Sequence, residues 1–190
     1  METPERAIYS IPNLLSLLRL ALVPLLIGLA YIGDATAFLG VLVVSLLSDV
    51  LDGYLARKLN QVSELGAKLD SWGDMLTYGS MILGLYWIWP LVFSAQGLYL
   101  LATMIFFIAP VAVALYKFGE YPSYHTWGAK AAAVLMAPAY YMLVLWGADE
   151  FFRMVILLHV LVACEEIAIT LMLDRPRSNV RSVFSLRPEH

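Results

Sequence analysis

DVLDGYLARKLNQVSELGAKLDSWGD, residues 49–74, sets four aspartates, Asp49, Asp52, Asp70 and Asp74, at helical spacing in a chain otherwise about as apolar as lipid. An ionised carboxylate in a low-dielectric place costs several kcal/mol unless a cation or a partner offsets it. Four together call for metal ions. Of the 190 residues, 61% are hydrophobic and 14% charged, which excludes an ordinary soluble domain and indicates an integral membrane protein.

Working outward, apolar runs recur along most of the chain and leave no room for a separate aqueous core. Residues 1–190 therefore read as one membrane domain with a polar tail over 174–190. Six spans are expected, over 14–31, 37–56, 67–89, 98–116, 129–146 and 151–173. Each is near the ~20 residues that cross ~30 Å of hydrocarbon. Gly33-Asp34, Pro90, Tyr121-Pro122-Ser123 and Gly147-Ala148-Asp149-Glu150 supply the breaks. The expected fold is an all-α bundle of six transmembrane helices. Residues 1–10, with Glu2, Glu5 and Arg6, match a cleavable signal peptide poorly and suit a short interfacial helix. The single cysteine, Cys164, excludes an intramolecular disulfide.

Charge placement gives an orientation. With six spans both termini share a side, and that side collects Arg6, Arg19, Arg57, Lys58, Lys68, Lys117, Lys130, Arg175, Arg177, Arg181 and Arg187, leaving Arg153 near the other. The positive-inside bias puts both termini, and the aspartate stretch with them, at the cytoplasmic face. A soluble nucleotide could reach the aspartates there. Trp87, Trp89, Trp127 and Trp146 fit interface belts.

At 100° per residue, Asp49, Asp52, Gly53 and Ala56 fall within an arc of roughly 100°, and Gly66, Asp70 and Asp74 within about 80°. The loop between them is short enough to make spans two and three antiparallel neighbours with converging faces. Gly53, Ala56 and Gly66 let a ligand or a backbone approach closely. An all-carboxylate cluster selects hard divalent ions, Mg²⁺ or Mn²⁺ before Zn²⁺. Two such ions suit a phosphoryl group held for in-line attack, with a partly free carboxylate accepting the nucleophile's proton. Arg57 adds a planar cation suited to a diphosphate.

These residues form the pattern D-x-x-D-G-x-x-A-R, an eight-residue gap, then G-x-x-x-D-x-x-x-D, met without substitution by Asp49, Asp52-Gly53, Ala56-Arg57, Gly66, Asp70 and Asp74. The chain thereby resembles the CDP-alcohol phosphotransferases, and the N-terminal IPNLLSLLRL is similar to that family as well. The resemblance implies a pair of Mg²⁺ or Mn²⁺ ions on Asp49, Asp52, Asp70 and Asp74, with Asp74 as general base on the acceptor hydroxyl. It places the CDP moiety against Gly53, Ala56 and Gly66, with Arg57 near its phosphates. It further implies a phospholipid-biosynthetic transferase of a bacterial or archaeal cell membrane. The donor would be a CDP-activated lipid, typically CDP-diacylglycerol, and the acceptor a small polar alcohol; CMP would leave. The protein would be a homodimer, with no nucleic-acid partner. A prenyltransferase-like enzyme would also use aspartates and Mg²⁺, but has no use for D-G-x-x-A-R. A divalent-ion transporter would leave Arg57 unexplained.

The acceptor stays open among glycerol 3-phosphate, serine and inositol phosphate types. Members using glycerol 3-phosphate usually carry proline after the third aspartate and lysine after the fourth, where this chain has Ser71 and Met75. DSWGDMLTYG is somewhat similar to phosphatidylserine synthases. A phosphorylated acceptor would need further cations, for which His125 and Lys130 are the candidates, with Arg175, Arg177 and Arg181 in the tail. Glu165 and Glu166, inside span six, are expected to pair with Arg19 or Lys130. Asn13 is a polar residue near the start of span one that fits either helix capping or a place close to the site.

Overall fold

A computed structural model of the chain describes residues 10–120, 124, 126–177, 180, 182 and 183. Among the described residues there are seven helices and no strand: α1 (Ile11–Ile32), α2 (Ala35–Lys58), α3 (Glu64–Ile88), α4 (Pro90–Ala95), α5 (Gly97–Phe118), α6 (Trp127–Trp146) and α7 (Asp149–Met172). Five of them, α1, α2, α5, α6 and α7, are long and apolar enough to cross a membrane. The expected third span falls in α3, which has the length, 25 residues, but carries Lys68, Asp70 and Asp74 in its first half. The break expected at Pro90 holds the six-residue α4, which proline opens because its missing N–H is not needed at a helix start. The expected interfacial helix over 1–10 lies outside the described residues except for Ser10.

Local chemistry accounts for the helix ends. Gly33 turns left-handed at φ 78, and its N–H and that of Asp34 return to Ala30 and Leu29, closing α1. Asp34 then caps α2 by accepting from the Ala37 N–H at 3.0 Å. Two residues thus join α1 to α2. After α2, Asn60 takes a left-handed φ of 54, which asparagine tolerates, and Ser63 caps α3 through the Gly66 N–H at 3.0 Å. Thr126 caps α6 in the same way through Ala129, and Gly147 at φ 64 ends it.

The chain divides into two compact units, one reaching to Ser94 and the other starting at Ala95. In the first, α1 packs along both α2 and α3, which touch each other far less. α2 and α3 do meet, as expected, through the Ser45 and Thr77 hydroxyls 3.3 Å apart, but α1 makes most of the packing with each. Like charges on their facing sides repel, and α1 supplies the polar groups that both helices meet. The opposite end of this unit is apolar, with Val23, Leu26, Ala30, Phe38, Leu42, Met81 and Leu85 buried. Edge-on aromatic pairs close it, Tyr31 with Trp87 at 5.7 Å and Phe38 with Trp89 at 6.3 Å. In lipid such contacts stabilise through packing rather than through escape from water.

In the second unit α7 is the helix that both α5 and α6 pack against. Met136, Ala139, Leu143, Phe152, Val155, Ile156 and Val162 are buried. Polar contacts gather at the ends. Arg153 Nε donates to Gln96 Oε1 at 3.0 Å and its guanidinium lies over Tyr99. Towards the other end of α7, the hydroxyls of Tyr124 and Thr170 meet at 2.7 Å, and Val180 packs with Tyr124 and Ile169.

Candidate active site

The end of α1 that starts the chain's first span is polar every third residue: Asn13, Ser16 and Arg19 are all buried there. Arg19 is 1% exposed in an apolar helix, and its guanidinium reaches all four aspartates. Nη1 pairs with Asp49 of α2 and with Asp74 of α3 at 2.9 Å. Nη2 pairs with Asp52 of α2 at 3.2 Å and with Asp70 of α3 at 2.7 Å. Each terminal nitrogen thus joins one carboxylate from each helix. Ser16 Oγ adds a bond to Asp52 Oδ2 at 2.7 Å. Higher on the same helices, the hydroxyls of Ser45 and Thr77 lie 3.3 Å apart.

The four carboxylates are not equivalent. The Asp52 side chain is 5% exposed, whereas those of Asp49, Asp70 and Asp74 are each between a third and a half exposed. The three accessible aspartates can each offer an oxygen within 4.8 Å of the others, a spacing that fits shared divalent ions. A cleft lined by Arg19, Leu46, Asp49, Asp74, Thr77 and Tyr78 opens beside them. An all-oxygen donor set of this kind fits Mg²⁺ or Mn²⁺.

The glycines separate by what surrounds them. A Cβ on Gly66 would lie 2.6 Å from Asn13 Oδ1, and one on Gly73 would lie 2.5 Å from Arg19 Nε. Both positions are small because α1 passes close to them. A Cβ on Gly53 would meet nothing nearer than the Arg57 guanidinium, at 3.7 Å. The chain's own packing does not require glycine there, which leaves room for a ligand beneath an exposed arginine. Ala56 is half-buried one turn on.

The structure brings Asp49, Asp52, Asp70, Asp74, Gly53, Ala56, Gly66 and Arg57 to the same end of the first unit. Lys130, in the second unit, is exposed and stacks its Nζ over the Trp127 ring at 5.3 Å. His125 and the tail residue Arg181 lie outside the described residues. Of the two glutamates in span six, Glu165 accepts from Ser182 Oγ at 2.8 Å and from the Val183 N–H at 3.1 Å, while Arg19 is taken by the aspartates. Asn13 fits a place close to the site, whereas Ser16, the contact of Arg19 with the aspartates and the smallness of Gly73 are site features that motif reading passed over. Their signal is in the chain: the three polar residues share an arc of about 120° on a helix that is otherwise apolar on that stretch.

A family model for CDP-alcohol phosphatidyltransferase matches residues 9–173. Over 87 residues the chain is 45% identical to the cardiolipin synthase (CMP-forming) of Streptomyces coelicolor, a segment that covers 42% of this chain and 40% of that protein. It is 39% identical over 77 residues to the CDP-diacylglycerol--glycerol-3-phosphate 3-phosphatidyltransferase of Rickettsia bellii, covering 39% of this chain and 42% of that one. With the cardiolipin synthase (CMP-forming) of Rattus norvegicus it shares 40% identity over 78 residues, 40% of this chain and 26% of that protein. The chain thus spans at most 42% of the length of these relatives. No solved structure matches it.

Proposed function

This chain belongs to the CDP-alcohol phosphatidyltransferase family, and from that premise we propose that it transfers a phosphatidyl group from CDP-diacylglycerol to a glycerol hydroxyl, releasing CMP. The observation that carries the reading is the convergence of four aspartates from two helices, at the spacing of an unbroken eight-position signature. The accepting alcohol is narrowed by the relatives, whose printed names are those of cardiolipin synthases and a glycerol-3-phosphate phosphatidyltransferase. Both favour a glycerol hydroxyl over serine or inositol phosphate. Ser71 and Met75 stand where users of glycerol 3-phosphate usually carry proline and lysine, which weighs against glycerol 3-phosphate itself.

The acceptor oxygen attacks the phosphorus that bears the diacylglycerol. A new P–O bond forms, the bridging P–O bond breaks, and CMP leaves with that electron pair. Asp74, partly exposed beside the cleft, takes the hydroxyl proton. Asp49, Asp52, Asp70 and Asp74 would hold two Mg²⁺ or Mn²⁺ ions, which when bound would neutralise the diphosphate and make its phosphorus more electrophilic. Gly53 leaves space for the CDP moiety, and Arg57 above it is a planar donor for its phosphates. Lys130 would steady a phosphate on the acceptor. If so, Lys130→Ala raises the acceptor KM well above any change in donor KM.

The positive-inside bias supports six crossings, α3 included, with both termini and the aspartates at the cytoplasmic face. The family match runs through both compact units, which supports reading the chain as one membrane domain. The resemblance also implies a homodimer.

The test is CMP release by purified protein given Mg²⁺, CDP-diacylglycerol and, in separate reactions, phosphatidylglycerol, glycerol 3-phosphate, serine, inositol and inositol phosphate. Release with phosphatidylglycerol or glycerol 3-phosphate that disappears in Asp74→Asn is the expected result. Release with serine or an inositol compound alone would replace the acceptor assignment, and no release with any would overturn the activity.

A further inference from the structure

Arg19 stands apart from the signature, on a different helix, yet among the described residues no other cation is so completely enclosed by the carboxylates. Its two terminal nitrogens reach one oxygen on each of Asp49, Asp52, Asp70 and Asp74. Divalent ions held by these four residues would compete with the guanidinium for the same carboxylate charge. Its third nitrogen, Nε, is buried and has no hydrogen-bond partner. A guanidinium docked side-on against a single carboxylate commonly uses Nε together with one terminal nitrogen. Here the group enters the cluster end-on, along the groove that Gly73 leaves bare, so that withdrawal along its own length breaks no bond at Nε.

Charge points the same way. One guanidinium against four carboxylates holds them together and leaves most of their negative charge unbalanced, so the cluster still attracts further cations strongly. Because Arg19 comes from α1 and the aspartates from α2 and α3, it can leave without moving a ligand.

Resting on the reading of these aspartates as a metal site, we propose that Arg19 is the site's exchangeable counter-ion: it pins α2 and α3 to α1 through the carboxylates, and divalent ions bind by taking its place. Arg19 and the ions are then linked antagonists. The factor by which Arg19 lowers the affinity for ions is then the factor by which bound ions weaken its own contact with the cluster.

The experiment is a Mn²⁺ titration of purified protein in lipid nanodiscs, read by the electron paramagnetic resonance of free Mn²⁺, for the wild type, Arg19→Gln and Arg19→Lys. Thermal unfolding of each is followed in chelator and in saturating Mn²⁺. Arg19→Gln is expected to bind Mn²⁺ about tenfold more tightly, to melt earlier than wild type in chelator, and to regain most of that loss in Mn²⁺. Arg19→Lys, with a charge that cannot reach four carboxylates at once, falls between. Unchanged or weaker Mn²⁺ affinity overturns the proposal, as does an equal loss of melting temperature with and without Mn²⁺. The latter would mean that Arg19 stays with the aspartates when ions are bound. If Arg19→Gln cannot be purified in either condition, the affinity of Arg19→Lys decides, tighter supporting and unchanged or weaker overturning. No donor or acceptor is present in these titrations, so a protein that releases no CMP still reports on Arg19, and the two readings fail separately.

Discussion

The two halves of the chain are built alike and use polarity differently. Each sets three long helices together, with one helix, α1 or α7, packed against the other two. In the first, Asn13, Ser16, Arg19, Asp52, Ser45, Ser48 and Thr77 are buried, and Arg19 meets aspartates of both neighbouring helices. In the second, the buried polar side chains are Gln96, Thr126 and Thr170, all at helix ends among the described residues. Ala, Val, Ile, Met and Phe fill the lengths between. His159 is the partial exception, stacked on Phe107 with Nε2 buried. The second trio packs mostly through apolar contact with its hydrogen bonds towards the ends, so packing of this kind does not require the charged centre of the first half. Buried charge is costly enough that chemistry is the better explanation for it.

Asp74→Asn should sharpen the contrast most. Losing the general base should lower CMP release by between about a hundredfold and ten-thousandfold, while thermal unfolding of the purified protein changes little. Gly73→Ala comes next. Its new methyl would sit 2.5 Å from Arg19 Nε, and overpacking of that kind costs about 1–3 kcal/mol, visible as a lower melting temperature together with lower CMP release. Arg153→Ala is the matching change in the second half. It removes the donor to Gln96 Oε1, at a cost of about 1–3 kcal/mol, but CMP release per folded molecule should stay at the wild-type level. A fall in specific activity as large as that of Gly73→Ala would break the contrast between the halves. Gly40→Ala should have the smallest effect. A Cβ there meets nothing within 4 Å, so the melting temperature should hold or rise by the equivalent of about 0.5–1 kcal/mol.

Most of the apolar architecture could be read before any coordinates. Hydropathy marks elements because span length is a property of consecutive residues, and Gly33, Asp34 and Gly147 end helices by local backbone chemistry. The aspartates were legible for the same reason, since their spacing places them on one face of their own helix. What periodicity could not show was which helix lies against which. Spans two and three do meet, as expected, but α1 packs far more closely on both and brings Arg19 into the cluster. Arg19 was instead paired with the glutamates of span six, because depth along a span can be estimated from sequence and lateral position cannot. Gly73 was passed over because its smallness matters only to a side chain from another helix. Gly53 is expected to admit a ligand or a backbone, and a Cβ there would meet nothing nearer than the Arg57 guanidinium at 3.7 Å.

The two-residue turn at Gly33 and Asp34 also sets the order in which charges meet while the chain is being made. An arginine at the middle of a helix entering the bilayer costs about 2.5–3.5 kcal/mol on insertion scales. With so short a turn, α2 emerges directly behind α1 and brings Asp49 and Asp52 to the depth of Arg19. The first two helices can then leave the translocon as one hairpin that carries its own countercharge, before Asp70 and Asp74 have been translated.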